Sequence, residues 1–332
     1  MTQEPPAASP APAVRTGRWR FWSAALGRIG HAIIVLWLAF TITFFLLYII
    51  PGDAALARLG DEASATPEQL ATLREAMGLN RPLYAQYFAQ LFAAFTGDLG
   101  KSLRTGEPVV EAIAAALPQT LLVASLSLML AITAGTLLAV GAAFTRRYWL
   151  RNLLLSVPSL CTSVPTFWTG LIMLMIFSYQ LRWLPAFGSG TAASTVLPVV
   201  VLSIIPAAMI TQVLAGSLIE AKHTAYARTA FNKGAGTMRV LIRHCMRNAL
   251  IPTLTLIGVI TGNLLSGSVI VETVFSRSGL GRVMLEAVQT VDLTVVQGVV
   301  FFCALVFVAV NLAVDLCYPL IDPRMRTRRA LS

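Results

Sequence analysis

Apolar residues in this chain come in long runs separated by polar, charged islands. Six stretches are nearly free of charge: residues 28–50, 120–144, 152–180, 194–219, 248–271 and 293–314. A bilayer core about 30 Å thick takes roughly 20 apolar helical residues to cross. The pattern therefore predicts an all-α integral membrane protein with six transmembrane helices. Residues 1–27 form a Pro/Ala-rich and then basic tail, 51–116 a cap loop, 117–320 a five-helix core with a loop over 220–250, and 321–332 a basic tail. Pro158 and Pro165 interrupt the third run and Pro198 and Pro206 the fourth, as kinks in packing or as bends around a pathway.

Composition agrees with a membrane class. Of 332 residues 56% are hydrophobic and 12% charged, with mean hydropathy +0.73. The net charge of +10 gathers at the ends of apolar runs, which fits a membrane surface and leaves no soluble basic domain for a nucleic acid. Cys161, Cys245, Cys303 and Cys317 show no C-x-x-C spacing, so neither a disulfide framework nor a thiolate metal cage is predicted. The first run is too long for a signal-peptide core and is read as retained.

Orientation follows the basic residues, which are retained in the cytoplasm. With the N-terminus inside, 17 of the 25 Lys and Arg residues fall on the inner side. Both termini are accordingly placed in the cytoplasm. In the outer loop, Thr66-Pro67-Glu68-Gln69 is a capping box closed by Gly78. Tyr87, Phe88, Leu91, Phe92 and Phe95 make an apolar stripe at helical spacing, either along the bilayer surface or against the spans.

Candidate chemistry is sparse. Gly100-Lys101-Ser102 looks like the end of a phosphate loop, but Phe95 occupies the place of its first glycine. His223, His244 and Cys245 are too few to close a metal site, and His31 sits at a span end. Glu272, Asp292 and Asp315 lie near span ends, so the spans lack the midplane charges of ion-coupled transporters. No catalytic constellation recurs. These gaps disfavour a secondary transporter and a membrane-embedded enzyme.

The inner loop is different, with Lys222, Arg228, Lys233, Arg239, Arg243 and Arg247 against the single acid Glu220. Residues 224–232 can form a short helix ended by Gly234, where a Cβ is expected to obstruct a close turn. Either the loop is merely solvated, or its helix seats in a groove of a cytoplasmic partner.

At these residues the chain resembles the permeases of binding-protein-dependent ABC importers of the dipeptide/oligopeptide/nickel family, the first of two permease subunits. Arg228-Thr229-Ala230, three residues and Gly234 match that family's EAA loop, followed by His244, Arg247, Asn248, Ala249, Leu250 and Pro252. The outer loop matches in order at Pro51-Gly52-Asp53, Gly78-Leu79-Asn80-Arg81-Pro82, Gly97-Asp98-Leu99-Gly100 and Leu117-Pro118. Val271-Glu272, Gly279-Leu280-Gly281-Arg282 and Asp322-Pro323-Arg324 continue it. Thr224-Ala225 stands in place of the usual acidic pair, Ser278 in place of a Pro, and Leu293-Thr294 in place of Tyr-Pro.

The resemblance implies a type I importer permease fold in the bacterial cytoplasmic membrane. Expected partners are a homologous second permease, two cytoplasmic ABC ATPases and an extracytoplasmic binding protein. ATP and Mg are expected on the ATPases, with no cofactor, metal or catalytic residue on this chain. The implied ATPase-coupling residues are Tyr226, Arg228, Thr229, Ala230, Lys233, Gly234, His244, Arg247 and Asn248. The outer loop and gate candidates are Asp98, Gly100, Glu272, Gly279, Gly281 and Arg282. Di- or oligopeptides are the expected cargo, with glutathione, nickel or a metal chelate as the alternative.

Overall fold

The computed structural model describes residues 17–49, 68, 71 and 81–321, and these are helical apart from short connections. The elements are α1 (Gly17–Ile49), α2 (Leu83–Phe95), α3 (Val109–Phe144), α4 (Tyr148–Ser163), α5 (Thr166–Met173), α6 (Ala192–Lys222), α7 (Ala225–Asn232), α8 (Thr237–Val240), α9 (Met246–Val274), α10 (Leu280–Gln289) and α11 (Leu293–Ile321). A π-helical turn, Leu174–Gln180, prolongs α5, and another, Leu241–Cys245, joins α8 to α9. Among the described residues four helices are long and apolar enough to cross a membrane, or up to six if each bent pair is one span. The capping box at 66–69 and Gly78 fall outside the described residues, Glu68 excepted.

The third apolar run is sharply interrupted. It breaks between α4 and the α5 segment, whose axes meet at 102°. The cause is Pro165, which caps α5 and holds Val164 extended (φ −97°, ψ 127°) by the steric restriction on a residue before proline. Pro158, by contrast, stays inside α4, as do Pro198 and Pro206 inside α6. Helix α3 begins at Val109, well before the start of its apolar run at residue 120.

Helix α6 is the central post. It packs against α3 with backbones in close approach, since a Cβ at Gly135 would lie 2.9 Å from the Ala207 carbonyl and from Ile210. Thr211 Oγ1 donates to the Gly135 carbonyl at 3.3 Å and Ser127 Oγ to that of Val199 at 3.2 Å. Small residues and interhelical hydroxyl bonds are what hold helices together where lipid removes the hydrophobic drive. Around the post, one apolar cluster fills the middle, with Ile210, Ile260 and Phe275, and a second the basic end, with Leu214, Leu218 and Leu241. A third fills the opposite end, with Val109, Leu280 and Val296.

The predicted aromatic stripe forms α2. Tyr87 hydrogen-bonds Thr41 of α1 at 2.7 Å and rings against Phe40 and Phe44, while Phe95 meets Phe301 of α11 edge-on. Phe88 and Phe92 remain 53% and 70% exposed, so one helix packs against the spans with one side and faces outward with the other.

Candidate functional sites at the two ends of the bundle

At the basic end, α7 starts where the Thr224 hydroxyl bonds the last turn of α6, donating to the Ala221 carbonyl at 2.6 Å. Ala227 is the buried residue of α7, seated in the cluster with Leu218, Leu241 and Ala249. Tyr226, Arg228, Thr229 and Lys233 are exposed, and Ala230 is half-buried. Arg247 and Asn248, at the start of α9, are exposed too, and Asn248 Nδ2 donates to the Tyr226 hydroxyl at 3.0 Å. The geometry thus brings Tyr226 and Asn248 together across 22 residues of sequence. His244 lies on the π-helical turn; its side chain is outside the description.

Gly234 ends α7, with its N–H on the Phe231 carbonyl at 2.9 Å. Beyond the adjoining backbone nothing stands within 4 Å of a Cβ built there, so the obstruction at this turn is local. Glycine is required by the backbone, which adopts φ +82°, a left-handed conformation that costs an L side chain about 1–2 kcal/mol. The sequence reading also missed Met238 and Ile242, 58% and 55% exposed beside Arg239 and Arg243. Two large apolar residues four apart in a basic loop were the available signal.

At the far end of α9, about 43 Å of helix away, the chain turns through residues 275–279 around a buried charge. Arg277 is fully buried, and so is Glu272. Arg277 Nη1 donates to the carbonyls of Gly188 (3.2 Å) and Ser194 (3.1 Å), and Nη2 to Gln119 Oε1 (2.8 Å). Burial draws the guanidinium below its ordinary value and the Glu272 charge opposes that shift. It nevertheless remains a cation, since arginine does not deprotonate in proteins.

Glu272 Oε2 accepts the Gly281 N–H at 2.7 Å, and the Leu280 N–H donates to Thr120 Oγ1 at 2.9 Å. The start of α10 is thereby pinned to α9 and α3. A Cβ at Gly279 would land on the Glu272 carboxyl, and one at Gly281 on Val269 Cα and 2.9 Å from Glu272 Oε2. Glu272, Gly279 and Gly281 therefore form one latch with Arg277, which the sequence marked only as one more outer basic residue. Arg282 is not part of it: it points outward and pairs with Glu286 at 2.7 Å.

Asp98 and Gly100 belong to a separate clasp. Asp98 Oδ1 accepts the Gly100 N–H at 2.9 Å, and Ser102 Oγ donates to Asp292 Oδ2 at 2.6 Å. Asp292, buried, also accepts the Leu103 N–H at 3.2 Å and caps α11 through the Val295 N–H at 3.3 Å. The Gly-Lys-Ser triplet so serves to tie the outer loop to the last helix. Among the described residues no group of three or more His, Cys, Asp or Glu is placed to hold a metal ion.

The family described as binding-protein-dependent transport system inner membrane component matches residues 112–327, and its N-terminal companion matches residues 22–124. Dipeptide transport system permease protein DppB of Alkalihalophilus pseudofirmus is 36% identical over 313 residues, 86% of this chain and 93% of its own. The protein of the same description from Lactococcus lactis is 32% identical, covering 91% of this chain and 98% of its own. Glutathione transport system permease protein GsiC of Escherichia coli is 33% identical, covering 90% and 97%.

Proposed function

Because the chain belongs to the binding-protein-dependent transport system inner membrane components, we propose that it is one permease half of an ATP-driven importer of short peptides. It sits in the bacterial cytoplasmic membrane with the basic end inside. The observation that carries this reading is the exposed surface of Tyr226, Arg228 and Lys233, at a short helix that Ala227 anchors to the bundle, with Arg247 and Asn248 beside it at the start of α9. Exposed apolar residues rimmed by charge mark protein contacts, and Met238 and Ile242 extend that patch. A soluble ATPase docks there, a second ATPase docks on a homologous permease, and a binding protein delivers cargo at the latch end.

ATP-driven closure of the ATPase pair would move α7, and α6 and α9 would carry the displacement as rigid rods toward the latch. Peptides are the favoured cargo because the dipeptide permeases and the glutathione permease all handle peptide-like solutes by their descriptions.

In proteoliposomes holding this chain, the second permease and both ATPases, uptake of a labelled dipeptide should require ATP and the binding protein. Uptake that follows a proton or sodium gradient with no ATPase present would overturn the reading. Orientation is tested separately with cysteines placed at Thr105 and Thr237 in a cysteine-free background. An impermeant thiol reagent should reach Thr105→Cys and spare Thr237→Cys in intact cells, and the reverse pattern would invert the topology.

A further inference from the structure

Two exposed faces run along α4. Leu153, Val157 and Leu160 make one of them, 50%, 45% and 67% exposed, as expected of a helix against acyl chains. Asn152, Ser156, Ser159 and Ser163 make the other, turned about 100° around the axis, and all four are exposed. Their neighbour across the helix pair is Gln212 of α6, whose Nε2 donates to Ser159 Oγ at 3.3 Å. Gln212 is the one exposed residue in the run 197–215 of an otherwise buried post.

Depth makes this arrangement informative. Gln212 lies ten residues before Lys222, about 15 Å of helix from the basic end. Ser159 lies eleven residues after Tyr148, about 16 Å from the same end. Along both helix axes the pair therefore stands about half a hydrocarbon thickness in from the basic end. A primary amide has two donors and an acceptor, and an amide that exposes most of that capacity to lipid is costly because no water is there to satisfy it. Polar groups at such depth face the bundle interior or a water-filled route.

We infer that Gln212 and Ser159, with the polar face of α4, line the inner half of the translocation pathway. The lining is neutral and hydrogen-bonding, and it carries no fixed charge along residues 152–163 or 197–215. That chemistry suits the amide and carbonyl groups common to peptides and does not select on side-chain charge. The inference rests on the permease reading and extends it to named residues.

The test uses the complete complex in a cysteine-free background, reconstituted in liposomes that expose the ATPases. Gln212→Cys and Ser159→Cys should react with a cationic methanethiosulfonate reagent at least tenfold faster than Leu38→Cys, which stands at similar depth on α1. Trapping with ATP and vanadate should slow both. Rates equal to that of Leu38→Cys would show that the pair faces lipid or a closed protein contact and would overturn the inference. Gln212→Glu supplies a second readout: uptake of a lysine-containing dipeptide should rise at least threefold relative to a glutamate-containing one. An unchanged ratio would also count against the pathway. If the unmutated complex shows no ATP-dependent uptake, the permease reading fails instead, whatever the labelling rates.

Discussion

At the turn after α9, the groups that hold the chain in place are a fully buried arginine and a fully buried glutamate, bonded to α3, α6 and α10. At the basic end, the residues that carry charge are exposed, and α7 keeps its place through Ala227, the packing of Ala230 and Phe231, and side-chain bonds from Thr224 to Ala221 and from Asn248 to Tyr226. The glycines differ in the same sense. Gly279 and Gly281 are hemmed in by the Glu272 carboxyl and Val269, whereas Gly234 has open space where its side chain would be. One end holds its charges in the interior; the other leaves them at the surface. Variants at the first should therefore show up as lost stability, and at the second as lost assembly or transport.

The largest effect is expected from Arg277→Met. It leaves the carbonyls of Gly188 and Ser194 and the Gln119 amide without their donor, and Glu272 without its neighbouring cation. Removing one member of a buried charged network costs on the order of 3–5 kcal/mol. The purified chain should melt markedly lower in detergent or fail to accumulate, while a melting temperature within error of the parent would show that the latch is not structural. Next come the glycines, where identity of the substitute discriminates between the two ends. At Gly281 size decides, so Ala should cost about 1–3 kcal/mol by overpacking and Asn more. At Gly234 backbone conformation decides, so Asn, which tolerates the left-handed region, should be milder than Ala. Matching orders of Ala and Asn at the two positions, read from melting temperatures, would erase the distinction.

Much of this was legible in the sequence, for identifiable reasons. The membrane-length helices and the exposed basic loop follow from charge-free length and from clustered Lys and Arg, both local properties of the chain. The latch was not legible, because Arg277 meets Gly188, Ser194 and Gln119 across 83 to 158 residues and no spacing encodes those contacts. Pro165 was legible as an interruption but not as a 102° break, since Pro158 and Pro206 carry the same local penalty and stay inside helices. Gly234 was legible as a glycine at a close turn, while the open space around it was not.

On the exposed side, Arg228→Glu combined with Lys233→Glu reverses two charges that no other group in the described bundle pairs with in an ion bridge. Stability should hardly change, and association with the ATPase should weaken about tenfold, near 1.4 kcal/mol. Co-purification at rising salt measures this, and undiminished ATPase recovery would remove these residues from the docking surface.

The smallest effect is expected at Tyr226→Phe, which deletes the hydroxyl that accepts from Asn248 at 3.0 Å and leaves the ring. Both residues are exposed, so water replaces the lost partner and the cost should stay at about 0.5–1 kcal/mol. The bond nevertheless joins α7 to α9, and it is a polar tie between these two helices beside the apolar packing of Ala227, Ala230 and Phe231. Uptake should therefore fall more than ATP hydrolysis does, because a loosely held helix passes less of the ATPase motion into the spans. Asn248→Ala should give the same split between hydrolysis and uptake, and the double variant should be no worse than either single one. An additive loss in the double variant would mean that Tyr226 and Asn248 act through separate contacts with the partner, and not through the bond between them.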